Sequence, residues 1–227
     1  MKGADEEGPD PFRSMILNMA RGAESEQEPL RWFEQLYDLS NGDSSLIPWS
    51  DGKPHEFLID WASKNPPNGR ALVVGSGLGE DAVYLSEIGW DVTAFDISKT
   101  AIQWSSKIHQ SSNVAWRVEN LLNLPKEWQG YWDLVVEIHI LQAIPEEVRK
   151  SAAPNLAPLL SKGGRLVCIG RLNHSGHEIE GPPWPLSRRF IDSVGEGLNQ
   201  IYFEIKRRPL DEEGTQRYIS VWENSRN

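Results

Sequence analysis

From position 70 onward, short apolar β-branched runs alternate with segments of helical spacing. ALVVG (71–75) predicts a buried strand ending in glycine, and EDAVYLSEIG (80–89) a helix stopped by Gly89. WDVTAFD (90–96) predicts a second strand, SKTAIQWSSKIHQ (98–110) a second helix and VAWRVEN (114–120) a third strand. YWDLVVEIHI (131–140) follows as a fourth strand, PEEVRKSAAPNLAPLLS (145–161) as one long helix and GGRLVCIGR (163–171) as a fifth strand. PLSRRFIDSVG (185–195) is helical by pattern, and QIYFEIKRRPL (200–210) with TQRYISVWEN (215–224) predicts a closing antiparallel pair. Alternation of this kind predicts an α/β fold: a doubly wound, mostly parallel seven-stranded sheet with an antiparallel C-terminal strand at its edge.

Ahead of that unit, LRWFEQLYDLS (30–40) and HEFLIDWASK (55–64) predict a helical cap, with the Gly- and Pro-containing loop LIPWSDGKP (46–54) between them. Residues 1–28 read as a flexible tail or arm, and 29–227 as one domain. The formal net charge of −10 offers no basic surplus to displace counterions, so neither nucleic acid nor an anionic membrane is an expected partner. The short cluster Lys206, Arg207 and Arg208 reads as solvated. Cys168 is the single cysteine, which leaves no intramolecular disulfide and no cysteine-built metal site; it reads as an inert buried thiol. With no apolar run of membrane-spanning length and an acidic start, the expectation is a cytoplasmic protein, monomer or homodimer, that acts on a small molecule.

The first strand-to-helix turn is Gly75-Ser76-Gly77-Leu78-Gly79-Glu80-Asp81. A dinucleotide fingerprint would need its third glycine where Glu80 stands, and a pyrophosphate would meet two carboxylates at the helix start. A phosphate-binding P-loop needs a lysine that is absent. The pattern present is G-x-G-x-G, and the carboxylates of Glu80 and Asp81 beside it suit a ligand carrying positive rather than negative charge. The second strand ends at Asp96, about 20 residues beyond Gly75, where a carboxylate can accept both hydroxyls of a ribose. At the third strand's end, Asn120 can face an adenine amine, with backbone N–H groups of Leu121 or Leu122 reaching a ring nitrogen and Glu119 as a register-shifted alternative.

These residues resemble the class I S-adenosylmethionine-dependent methyltransferases, of Rossmann-like fold, and within them the thiol, halide and thiopurine methyltransferase-like group. FEQLY (33–37) with IPWSDGKP (47–54), LQAIPEEVR (141–149), LLSKGGRLV (159–167) and GPPWPLS (181–187) look like that group's elements, over residues 30 to 224. The resemblance implies S-adenosyl-L-methionine as cofactor, S-adenosyl-L-homocysteine as product and a small-molecule acceptor. It implies Tyr37, Trp49, Ile97, Glu137 and Ile138 beside Gly75, Gly77, Gly79, Asp96, Asn120 and Leu121 at the cofactor, and Trp184 over the acceptor. Four positions depart from the group: Phe33 replaces a tryptophan, Asn120 an aspartate, and Glu137-Ile138 an Asp-Arg pair at the fourth strand's exit.

A thiolate or halide acceptor needs no base, whereas an amine or hydroxyl needs one near that exit. His139 is the candidate base, with a core or capping histidine as the alternative. His174 and His177 lie in a loop expected to roof the acceptor, too few to bind a metal, while His55 and His109 read as surface residues. Trp61, Trp90, Trp104 and Trp116 read as packing. Three readings therefore stand: methyl transfer to a thiol, halide or related nucleophile; an N- or O-methyltransferase using His139; and a non-catalytic module that binds the cofactor.

Overall fold

The computed structural model describes residues 11–174, 176, 181–209, 211 and 214–225. Among them, α1 (Pro11–Ser25), α2 (Arg31–Ser40) and α3 (Glu56–Lys64) precede the sheet. Then follow β1 (Arg70–Val74), α4 (Glu80–Glu87), β2 (Asp91–Asp96), α5 (Lys99–Ile108), β3 (Ala115–Val118) and β4 (Trp132–Ile138). The C-terminal half comprises α6 (Glu146–Ala152), β5 (Leu160–Asn173), the two-residue β6 (Leu186–Ser187), α7 (Arg188–Val194), β7 (Asn199–Lys206) and β8 (Gln216–Glu223).

The strands form one sheet in the order β3-β2-β1-β4-β5-β8-β7, with β6 paired to β5 off that path. Strands β1 to β5 run parallel, and β8 is antiparallel to both β5 and β7. The antiparallel strand is thus internal, and β7 forms the edge where the sequence predicted an antiparallel edge. One face buries Leu72, Val74, Val135, Leu166, Cys168 and Tyr218, with Ala152 of α6 and Ile191 of α7 in the same cluster. The other buries Val73, Ala94, Val136, Ile169 and Val221 beneath α3 and α4. Residues alternate between the two faces because strand side chains alternate.

Two local expectations change and a third is narrowed. The long helix after β4 stops at Ala152, because Pro154 and Pro158 break it into two 3₁₀ turns, Ala153–Asn155 and Ala157–Leu159. Of the two expectations for residues 1–28, a tail or an arm, residues 11–25 take the second form as α1, which buries Ile16, Ala20 and Ala23 in a cluster with Trp32, Leu36 and Tyr37 of α2 and Ala101 of α5; residues 1–10 lie outside the described residues. Two residues of the 206–208 cluster, Lys206 and Arg208, are paired rather than solvated, while Arg207 is exposed. Lys206 Nζ meets Asp60 at 2.7 Å, and Arg208 bonds Asp51 and Glu56, pinning the chain after β7 to the start of α3. Among the described residues, no helix is long and apolar enough to cross a membrane.

Candidate active site

The carboxyl ends of the parallel strands bring β1, β2, β3 and the exit of β4 to one rim, the usual ligand position in an open α/β sheet. Gly75, Gly77 and Gly79 all take positive φ (59°, 54° and 91°), a region costly for side-chain-bearing residues. A β-carbon at Gly75 would run into Ile140, and one at Gly77 would lie 3.0 Å from the Tyr37 hydroxyl. At Gly79 it would meet the ring of Trp116, so this glycine packs against protein.

Asp96, at the tip of β2, holds the loop shut. One carboxylate oxygen accepts the N–H of Gly77 at 2.9 Å and the other that of Ser98 at 2.9 Å. Burial pushes its carboxyl above the usual range, against the downward pull of those amides. Each oxygen retains a second lone pair. Glu34 of α2 docks the cap on the same rim, accepting Ser98 Oγ at 2.6 Å and Thr100 Oγ1 at 2.7 Å.

Beside Asp96 lies an apolar cavity of about 60 Å³. Its wall includes Gly75, Asp96, Ile97, Asn120 and Leu121, five of the residues singled out in the sequence. It also includes residues not singled out there as site residues: Leu30 and Phe33 from the cap, Phe95, Ile140, and Ile144 with Val148 ahead of and within α6. Phe33 was noted only as a departure. The α6 side was unreadable because an apolar helical stripe is the same for core and for pocket. The Asn120 carbonyl oxygen is taken by the N–H of Leu122 at 2.9 Å. That bond closes the turn locally and takes the expected Leu122 N–H, but it leaves the oxygen a second lone pair, so Asn120 and Glu119, both in the wall, are the acceptors there.

Tyr37 and Trp49 cover the glycine loop rather than lining the cavity. Trp49 Nε1 donates to the Tyr37 hydroxyl at 2.8 Å, and Tyr37 is fully buried, which with nearby Asp96 pushes its hydroxyl well above its usual pKa. Glu137 is buried on the cavity side of the sheet; one oxygen accepts the N–H of Leu141 at 3.0 Å, and burial raises its carboxyl to about 7. Ile138 packs into the opposite face.

His139 also turns to that opposite side, at φ 66°, with its ring 5.3 Å from that of His55. Burial, then the charges of His55, Arg217, Arg171 and Arg208, holds its imidazole well below its ordinary pKa. His55 is no surface residue: it caps α3, is 8% exposed, and its backbone N–H bonds the half-buried Asp81 at 2.7 Å. His109 is half-buried too, bonded to the Leu78 carbonyl at 3.0 Å and stacked on Trp116. His174 is exposed beyond β5, and its companion His177 lies outside the described residues. Trp184 donates its backbone N–H to the Gln142 carbonyl at 2.7 Å and lies 5.6 Å from the Arg149 guanidinium, away from the cavity wall. The described residues contain no His, Cys, Asp or Glu cluster able to hold a metal ion.

Residues 43–213 match the thiopurine S-methyltransferase (TPMT) family. The chain belongs to that family. Relatives of this family member include a probable thiol methyltransferase 2 of Arabidopsis thaliana, 30% identical over 148 residues, which are 64% of this chain and 65% of the relative. Thiocyanate methyltransferase 1 of Brassica oleracea is 27% identical over 161 residues, 67% of this chain and 68% of that one. The match thus spans about two thirds of these relatives' length. Among solved structures, a magnesium protoporphyrin IX methyltransferase from Synechocystis PCC 6803 with bound S-adenosylhomocysteine superposes at a TM-score of 0.65. It is 16% identical, with 85% of this chain and 98% of that one covered, and so shows the shared Rossmann-like methyltransferase fold.

Proposed function

We propose that this family member transfers a methyl group from S-adenosylmethionine to a small, electron-rich acceptor, a thiolate or an anion such as thiocyanate. The observation that carries the reading is Asp96 in the cavity wall beside Gly75, with lone pairs to spare for ribose hydroxyls. The residues suit a cationic rather than a phosphorylated ligand: Glu80 and Asp81 open α4, and the loop carries no lysine. When bound, the cofactor supplies an electrophilic methyl on a sulfonium, and such displacements depend chiefly on positioning.

In this reading Asp96 binds the ribose, Ile97 and Leu121 flank the adenine, and Glu119 or Asn120 meets its edge. Gly75 and Gly77 admit the backbone close to the ligand, while Tyr37 and Trp49 keep water from the loop. Glu137 and Ile138 back the exit of β4 from behind the cavity lining, and His139, His174 and Trp184 are assigned to the acceptor side. The names of the two relatives favour a sulfur nucleophile. A thiolate or thiocyanate needs no base, which agrees with an imidazole at His139 too depressed to be an effective one. The lone buried thiol suits a reducing compartment such as the cytoplasm.

The test is transfer of methyl-labelled S-adenosylmethionine to thiocyanate and to small thiols, each product identified by mass. A labelled thioether or methyl thiocyanate is the expected result. Label appearing only on an amine or hydroxyl compound would favour the base-assisted reading. Cofactor bound with no label on any acceptor would favour the non-catalytic module.

A further inference from the structure

His55 and His139 are brought together from the cap and the exit of β4, and neither ring is explained by cofactor binding. His55 is the N-cap of α3, where its Nδ1 accepts the N–H of Phe57 at 3.2 Å. A neutral imidazole has one N–H, so a ring whose Nδ1 accepts carries its proton on Nε2. That Nε2 is buried with no hydrogen bond among the described residues, and the same holds for Nδ1 of His139. One is a donor without an acceptor, the other a ring nitrogen without a partner, and a buried polar atom left so destabilises the fold. The rings are 5.3 Å apart at 69°. At that separation, facing nitrogens lie about 3 Å apart, the length of a hydrogen bond, once the rings turn into line.

We propose that His55 is a positioning residue: its Nε2–H bonds Nδ1 of His139 and fixes His139 in the Nε2–H tautomer. Both rings are held neutral. For His55, burial and then Arg208 and Arg217 outweigh Asp51 and Asp211, lowering its pKa to about 3. His139 is depressed by burial, then by His55, Arg217, Arg171 and Arg208. A His139 protonated on Nε2 presents a donor, not a lone pair, to whatever lies beyond it. Resting on the proposed methyl transfer, this makes His139 a hydrogen-bond donor to the acceptor and sets the specificity. An anionic sulfur is recognised as it stands; an amine or hydroxyl that must first lose a proton finds no base.

The tautomers are read directly from long-range ¹H–¹⁵N spectra of the full chain labelled at histidine, at pH 7, with assignment by His139→Gln. The expected result is Nε2–H for both rings, and for His139 a shift toward Nδ1–H or a mixture in His55→Asn. Asparagine replaces the capping Nδ1 with a side-chain oxygen that can accept the Phe57 N–H and removes the Nε2 donor; His55→Ser does the same if the first variant fails to fold. A His139 found as Nδ1–H or charged in the wild type overturns the proposal, as does a tautomer unchanged in the variants. The spectra need neither cofactor nor acceptor. A chain that shows these tautomers yet transfers no methyl group would refute the methyl-transfer reading and leave the histidine pair standing.

Discussion

The two sides of the sheet at its carboxyl rim are built differently. On the side of β1, β2 and β3, a carboxylate, three glycines and apolar walls frame a cavity; Asp96 bonds the backbone of Gly77 and Ser98, and Glu34 from the cap is the ionisable group that reaches this rim from afar. On the side of α3, β4 and β8, ionisable groups distant in sequence are packed against one another: His55, Asp81, His139, Arg208, Asp211 and Arg217. The first side is a binding frame that any chain of this topology can carry. The second depends on long-range pairing, and charges there are neutralised or suppressed by burial.

Removing the key group of the first side should have the largest effect. Asp96→Ala is expected to weaken S-adenosylmethionine binding on the order of a thousandfold, from two hydrogen bonds to a charged acceptor at about 1.5–3 kcal/mol each. Calorimetric titration measures it, and affinity kept within a few-fold would remove Asp96 from the proposed site. On the second side, Arg217 and Asp211 form an ion pair whose side chains are 8% and 4% exposed, the Arg217 Nε and Asp211 Oδ1 being 2.9 Å apart. Arg217→Leu strands Asp211 and should cost about 3–5 kcal/mol in denaturant unfolding, much of it recovered by adding Asp211→Leu. A loss of less than 1 kcal/mol would mean that this side is as tolerant as the first.

A smaller effect joins the two sides at Glu137. Its folded pKa of about 7 lies above the ordinary 4.5, so the folded state holds its proton more tightly than the unfolded chain. The stability this contributes is full below about pH 4.5 and is lost as pH rises through about 7. Glu137→Gln keeps an oxygen for the Leu141 N–H and removes the charge. Its unfolding free energy, from denaturant titrations, should therefore fall less than the wild type's between pH 5 and 8, the two diverging by about 2–3 kcal/mol at the alkaline end. Parallel curves would show that Glu137 stays uncharged or finds a partner throughout.

How far each side could be read in advance follows from the same contrast. The G-x-G-x-G turn and Asp96 are specified by short-range rules, since positive φ demands glycine and a strand ending in aspartate marks a rim. Asn120 was legible as a rim residue but not in its bonding, because a side chain that caps its own turn and one that faces a ligand have the same sequence. His55 was misread as a surface residue. Its helix-capping geometry is local, yet its burial comes from the chain after β7, some 150 residues on, where Arg208 clamps Asp51 and Glu56.

By itself the sequence determined the alternation of strands and helices, the glycine loop and the residues of β1 and β2, because hydrophobic periodicity and backbone sterics act over a few residues. Tertiary structure alone decided that β8 lies inside the sheet, that Phe33 and Ile140 close the cavity, and that His55 meets His139. Those outcomes depend on which surfaces come together when apolar area is withdrawn from water, and burial and charge pairing at a distance leave no period in the chain.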